Sequence, residues 1–128
     1  SRAADDAAKA NGELLNSIAG FGLALMPMPE ALGGVGMPRS PLSNALAVED
    51  LAEGDISHTL AALQPMAAVN ALVDFGSDEQ QERWLPAMAT ETFTGAAIAL
   101  TEPRATFEPS SPATTAQTAN GQVVLNGV

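Results

Sequence analysis

The apolar residues of this chain change their period once, near Thr92, and that change limits what the chain can fold into. Up to Thr92 they recur at spacings near three and four in a background rich in Ala, Leu and Met, the period of a helix face. From Phe93 onward Thr, Val and turn residues take over, a composition that suits short strands joined by tight turns. The expected class is α+β: an all-α domain over residues 1–92, then a β segment over residues 93–128 that holds only the first strands of a larger sheet. Two or three strands with open edges are poorly stable alone, so the β segment reads as incomplete.

Local signals place the helices. Over Pro41 to Glu53, "PLSNALAVEDLAE", the residues Leu42, Ala45, Leu46, Val48, Leu51 and Ala52 fall mostly on one side and Glu49, Asp50 and Glu53 largely opposite, predicting one amphipathic helix. Asp55 or Ser57 can cap the next helix, through "ISHTLAALQ". Pro65 lacks a backbone donor and is expected to kink that helix or start a new one at "PMAAVNALVDF", with Gly76 as its end. Ser77, followed three residues later by Gln80, makes a capping-box pattern for "SDEQQERWL". Asp78 and Glu79 then sit at the positive end of that helix, and Pro86 can open a further turn. In the β segment, "FTGAAIAL" has a strand's length, and "TTAQTA" and "QVVLNG" flank Asn120-Gly121, the dipeptide of a type I′ hairpin.

Charge and composition exclude several functions. Fifteen acids against five bases give the 128 residues a formal net charge of −10, which opposes binding to nucleic acid or to an anionic membrane. With no cysteine and one histidine, thiolate chemistry is absent and no metal-ligand cluster is expected. Near-apolar runs such as Met66 to Val73 are too short for a bilayer, and the opening "SRAADDAAKANG" has no signal-peptide layout. A cytoplasmic address is the expectation.

Residues that invite a chemical role mostly have plainer ones. His58 has no acid or serine at triad-like spacing and reads as a helix-face histidine. Trp84, Leu85 and Met88 form a core or interface stripe. Met26 to Pro29, "MPMP", suits packing under a loop better than an acyl channel. The "GGVG" of Gly33 to Gly36 lacks the Lys-Ser/Thr of a phosphate loop. Glu102, before Pro103, reads as a structural hydrogen-bond or ion-pair partner rather than a catalytic acid.

Four pieces in order, "FGLALMPMPEALGGVGMP", "AVEDLAEGDIS", "FGSDEQQERWLPAMATETFTGAAIALTEP" and "GQVVLNG", resemble the N-terminal helical domain and the opening of the middle β domain of the acyl-CoA dehydrogenase family. The resemblance covers about Ala19 to Val128. It implies an antiparallel, β-barrel-like middle domain after the helices, FAD as cofactor, and α,β-desaturation of an acyl-CoA thioester in fatty acid metabolism. Electrons would pass to an electron-transfer flavoprotein, and the assembly would be a homo- or hetero-oligomer, a dimer or tetramer. The catalytic glutamate of the family is expected in a second helical domain beyond Val128, so no catalytic residue and no activity are expected within these 128 residues.

On that resemblance Ile98, Leu100, Thr101 and Thr106 fall at flavin-contacting positions and Phe107 at a position beside the substrate. Thr101 is the best placed to bond the ring. After Pro103, however, the family's Gly-x-Gly-Ser-Asp-like run is replaced: Arg104 and Thr106 stand for the glycines, Phe107 for the serine and Glu108 for the aspartate. A side chain at a left-handed position costs roughly 1–2 kcal/mol, and a lost hydroxyl bond to a charged group roughly 1.5–3 kcal/mol. The altered loop supports an alternative, a family member that has lost FAD binding and acts as the non-flavin structural subunit of a heteromeric enzyme.

Overall fold

The computed structural model describes residues 11–90, 92–103, 108 and 110–127. The chain divides into two compact units that meet between Ala97 and Ile98. The first is helical and the second contains two antiparallel strands, so the α+β order holds.

The helical unit begins with α1, Gly12–Ala19, capped by Asn11, whose side chain accepts from the amides of Glu13 and Leu14. Two 3-10 turns follow, Leu23–Leu25 and Glu30–Leu32. The long helix α2, Pro41–Phe75, is capped by Ser40 and has Pro41 at its first turn, where a missing N–H costs nothing. It consists of two helices end to end, since Asp55 has extended dihedrals (φ −162°, ψ 105°). Of the two expected caps, Asp55 and Ser57, it is Asp55 that caps the second half: its Oδ1 accepts from the His58 amide at 3.0 Å, and its carbonyl accepts from the Thr59 hydroxyl at 2.8 Å.

Pro65 does not kink this helix or begin a new one. The second half runs through it to Phe75, and Pro65 joins the buried row His58, Thr59, Ala62, Pro65 and Val69. The chain has already broken at Asp55, where a cap replaces the lost bonds, and the proline ring is enclosed by packing. By length and composition α2 could also cross a membrane, with mean hydropathy of 1.2 over an 18-residue window; in this structure its buried row forms the core instead.

Gly76 ends α2, its amide donating to the Leu72 carbonyl. The reciprocal capping box of α3, Asp78–Trp84, is present: the Gln80 amide donates to Ser77 Oγ at 3.3 Å and the Ser77 amide to Gln80 Oε1 at 2.9 Å. Pro86 lies in the 3-10 turn Leu85–Met88, as expected. An ion pair between Arg39 and Asp74 ties the approach to α2 to its last turn.

Two apolar clusters fill the unit. Leu15 and Ile18 of α1 pack on Ala62 with Leu51 and Phe93 beside them. Met28, Val69 and Leu85 form the second cluster, flanked by Leu25, Leu72 and Met88. Met28 is therefore packing under a loop, as the sequence suggested. Two facings differ from expectation. Leu46 is 54% exposed and Trp84 50% exposed: the break at Asp55 interrupts the helical register, so of the first half's apolar face only Leu51 reaches the α1 cluster. Trp84 instead lies under the Arg83 guanidinium, 4.9 Å from its ring centre, and only Leu85 of the expected stripe is fully buried.

The segment 93–100, expected as a strand, is not one. A strand exists only where a neighbour completes its ladder, and among the described residues nothing pairs with it. Its start is tied down by other bonds: the Phe93 amide donates to Asn16 Oδ1 at 2.7 Å and the Thr94 hydroxyl to the Ala87 carbonyl at 3.0 Å. The hairpin is as predicted. β1, Thr115–Ala119, pairs antiparallel with β2, Gln122–Asn126, with Thr115 opposite Asn126 and Ala119 opposite Gln122. Asn120 (φ 53°) and Gly121 (φ 75°) supply the two positive φ angles of the turn.

Candidate functional site

The second unit is organised around one carboxylate. Glu102 Oε2 accepts from the Ala113 amide at 2.9 Å, and Oε1 accepts from the Thr114 amide at 2.7 Å. These are charge-assisted bonds of good length, and together they close the loop that leaves at Pro103 and returns at the base of β1. An open cleft lies along the closure, lined by Glu102, Pro103, Thr114, Thr115 and Asn126. With both oxygens engaged by main-chain donors, Glu102 is a structural acceptor, as its place before proline suggested. The sequence supplied its role, but not its partners eleven and twelve residues away.

Just upstream, Ile98 is 47% exposed and Leu100 61% exposed. The Thr101 side chain is exposed too, and among the described residues its hydroxyl makes no hydrogen bond. Ile98, Leu100 and Thr101 thus lie on one short segment directly before Glu102, with apolar surface and a hydroxyl exposed. Arg104, Thr106 and Phe107 lie outside the described residues. Glu108 is turned to local use, its carbonyl accepting from the Ser111 amide and its Oε1 from the Ser110 hydroxyl, both at 2.9 Å.

The glycine-rich stretch of the helical unit holds no phosphate site. Its amides are spent on the preceding segment: Gly33 donates to Glu30, Gly34 to Pro29, Val35 to Leu25, Gly36 to Met28 and Met37 to Met26. A Cβ on Gly34 would lie 2.2 Å from the Met28 carbonyl oxygen, so the glycine serves close backbone approach. Beside this stretch Met26, Met37, Met66 and Asn70 line a small cleft, and the buried Asn70 Oδ1 has no hydrogen-bond partner. A second cavity, lined by Ile18, Leu63, Met66 and Phe93, sits where α1 meets α2.

His58 lies on a helix face, as expected, and that face is buried: it is 3% exposed. An acid is next to it, with Nδ1 3.1 Å from Asp55 Oδ1. Asp55 Oδ1 accepts from the His58 amide, and Nδ1 itself makes no hydrogen bond among the described residues. Nε2 accepts from the Asn11 amide at 2.9 Å. An imidazole whose lone pair is engaged by an N–H cannot serve as a general base. The Asp-x-x-His spacing of a helix start was the available signal for the Asp55 contact; the Asn11 contact, 47 residues distant, had none. Among the described residues no group of three His, Asp or Glu side chains could hold a metal.

Comparison with known proteins agrees with this architecture. Residues 1–92 match the family model described as acyl-CoA dehydrogenase, N-terminal domain. The chain is 30% identical over 116 residues to an acyl-CoA dehydrogenase of Bacillus subtilis, covering 90% of this chain and 30% of the relative. It is 30% identical over 114 residues to the human short-chain specific acyl-CoA dehydrogenase, mitochondrial, covering 88% of this chain and 27% of the relative. With the benzylmalonyl-CoA dehydrogenase of Aromatoleum aromaticum it shares 33% identity over 127 residues, 98% of this chain and 33% of the relative. The chain therefore spans a third or less of these relatives' lengths, and no solved structure matches it. The family-model match over most of its length, on a helical unit followed by an antiparallel hairpin, places the chain in the acyl-CoA dehydrogenase family.

Proposed function

We propose that this chain serves the FAD-dependent α,β-desaturation of an acyl-CoA thioester, with electrons passed to an electron-transfer flavoprotein. The observation that carries the reading is the segment Ile98 to Glu102. Glu102 is fixed to the base of the hairpin through the Ala113 and Thr114 amides. The residues just before it expose a hydroxyl and apolar surface, which suits the polar rim and flat faces of a flavin ring. Thr101 would bond the ring, and Ile98 and Leu100 would flank it. When bound, FAD supplies hydride acceptance. The residues of this chain contribute binding and orientation, and the α-proton is assigned to a carboxylate outside residues 1–128. The names of the three relatives support a dehydrogenase acting on a CoA derivative. A cytoplasmic oligomer, with residues 1–92 as its helical domain and residues 93–128 opening its β domain, completes the proposal.

One observation favours a second reading. Arg104, Thr106 and Phe107 replace the glycines and serine expected after Pro103, which suits a non-flavin subunit of a heteromeric enzyme. The visible absorption of the natural protein carrying this sequence separates the two. A near-stoichiometric flavin spectrum from the protein purified alone supports the first; colour that appears only with a closely related subunit supports the second and overturns the first.

A further inference from the structure

We propose that His58 is a protonation-sensitive latch that holds α1 on the core. The Asn11 amide donates to His58 Nε2 at 2.9 Å. A nitrogen that accepts carries no proton of its own, so in the docked state the ring is neutral and its proton resides on Nδ1, the side that faces Asp55 at 3.1 Å. A second proton can enter only at Nε2. There it removes the lone pair and sets one N–H against another, with the ring nine-tenths and more enclosed. Asp55 attracts the resulting charge from the far side, while the bond to Asn11 is lost.

The residue released is the one α1 depends on. Asn11 caps α1, its Oδ1 accepting from the Glu13 and Leu14 amides, and the Leu15 amide donates to its carbonyl. Loss of the His58 bond frees this cap and with it the entry of α1, whose Leu15 and Ile18 form the cluster on Ala62. Ile18 also lines the cavity between α1 and α2, so loosening α1 opens that cavity. Charged groups that bear on the ring are few among the described residues. Asp55 comes from its own helix, α1 supplies only Glu13, exposed in its first turn, and the turns Leu23–Leu25 and Leu85–Met88 contain no titratable side chain.

His58→Gln removes one set of imidazole signals and so identifies the His58 ring nitrogens by NMR. The test follows the Asn11 amide and the His58 ring nitrogens of the natural protein carrying this sequence from about pH 8 to about pH 5, the interval in which imidazole titrates. At the upper end Nε2 shows the shift of an acceptor nitrogen and Nδ1 that of a protonated one. The Asn11 protection factor then falls about two- to tenfold as the ring takes its second proton, the equilibrium equivalent of one net hydrogen bond. His58→Gln, which offers an acceptor that does not titrate, keeps that protection factor constant over the same interval. A proton found on Nε2 at the upper end, or Asn11 protection unchanged while the ring reports a full charge, overturns the latch. An equal loss of protection in wild type and His58→Gln assigns it to general acid weakening and overturns it as well.

Discussion

The two units are built on opposite terms. In the helical unit the second half of α2 presents one buried row, His58, Thr59, Ala62, Pro65 and Val69, and apolar clusters on α1 and on the Met28 loop pack against it. In the second unit every residue of both strands is exposed, including Val123, Val124 and Leu125. Its order comes from a turn, a five-pair ladder and one carboxylate. The first unit is held mainly by area removed from water. The second is held by named bonds, and each of them counts.

The largest test of that contrast is the core. Leu85→Ala, at a fully buried site, is expected to cost about 2–5 kcal/mol in urea denaturation; the same truncation at exposed Leu125 should change stability by less than about 0.5 kcal/mol. Equal costs would mean that the hairpin has a core after all. Next comes the clamp. Glu102→Ala removes the acceptor of two amide bonds and should weaken the hairpin by about 1.5–3 kcal/mol, read as lost amide protection at Ala113, Thr114 and the β1–β2 ladder with helical amides unchanged. Gly121→Ala, at φ 75°, should cost the hairpin about 1–2 kcal/mol by the same readout. Ser77→Ala breaks the capping box of α3 and should cost about 0.5–2 kcal/mol in thermal unfolding. The smallest effects sharpen the facing of the helices: Leu46→Asp and Trp84→Asp, at half-exposed positions, should each shift stability by no more than about 0.5 kcal/mol.

Those last two positions show where the sequence misleads. Periodicity put Leu46 and Trp84 toward a core, but a helical stripe reports only that one side is apolar, and which neighbour meets it is decided by the chain path. The extended residue at Asp55 set that path, and the sequence marked Asp55 only as a possible cap. Pro65 misled for a related reason: its cost to a helix is local, while the packing that encloses its ring comes from residues far along the chain. Signals complete within a few residues were legible, as with Ser77 and Gln80, Asn120-Gly121 and the turn at Pro86. The structural role of Glu102 was legible in kind, since an acid before proline in a turn finds donors nearby. The contact between His58 and Asn11 was not, because nothing in either neighbourhood names the other. "FTGAAIAL" failed as a strand because a ladder belongs to two segments and a sequence window describes one.

On the proposed function, Glu102 holds the segment Ile98 to Thr101 in place for a flavin. The most direct measurement is the flavin-to-protein ratio, by visible absorbance, of the natural protein carrying this sequence and of its Glu102→Ala variant, with helical content followed by circular dichroism. The expected result is near-stoichiometric flavin in the first and a clear loss in the second at unchanged helical content. Equal flavin in both, or none in the natural protein, would contradict the claim.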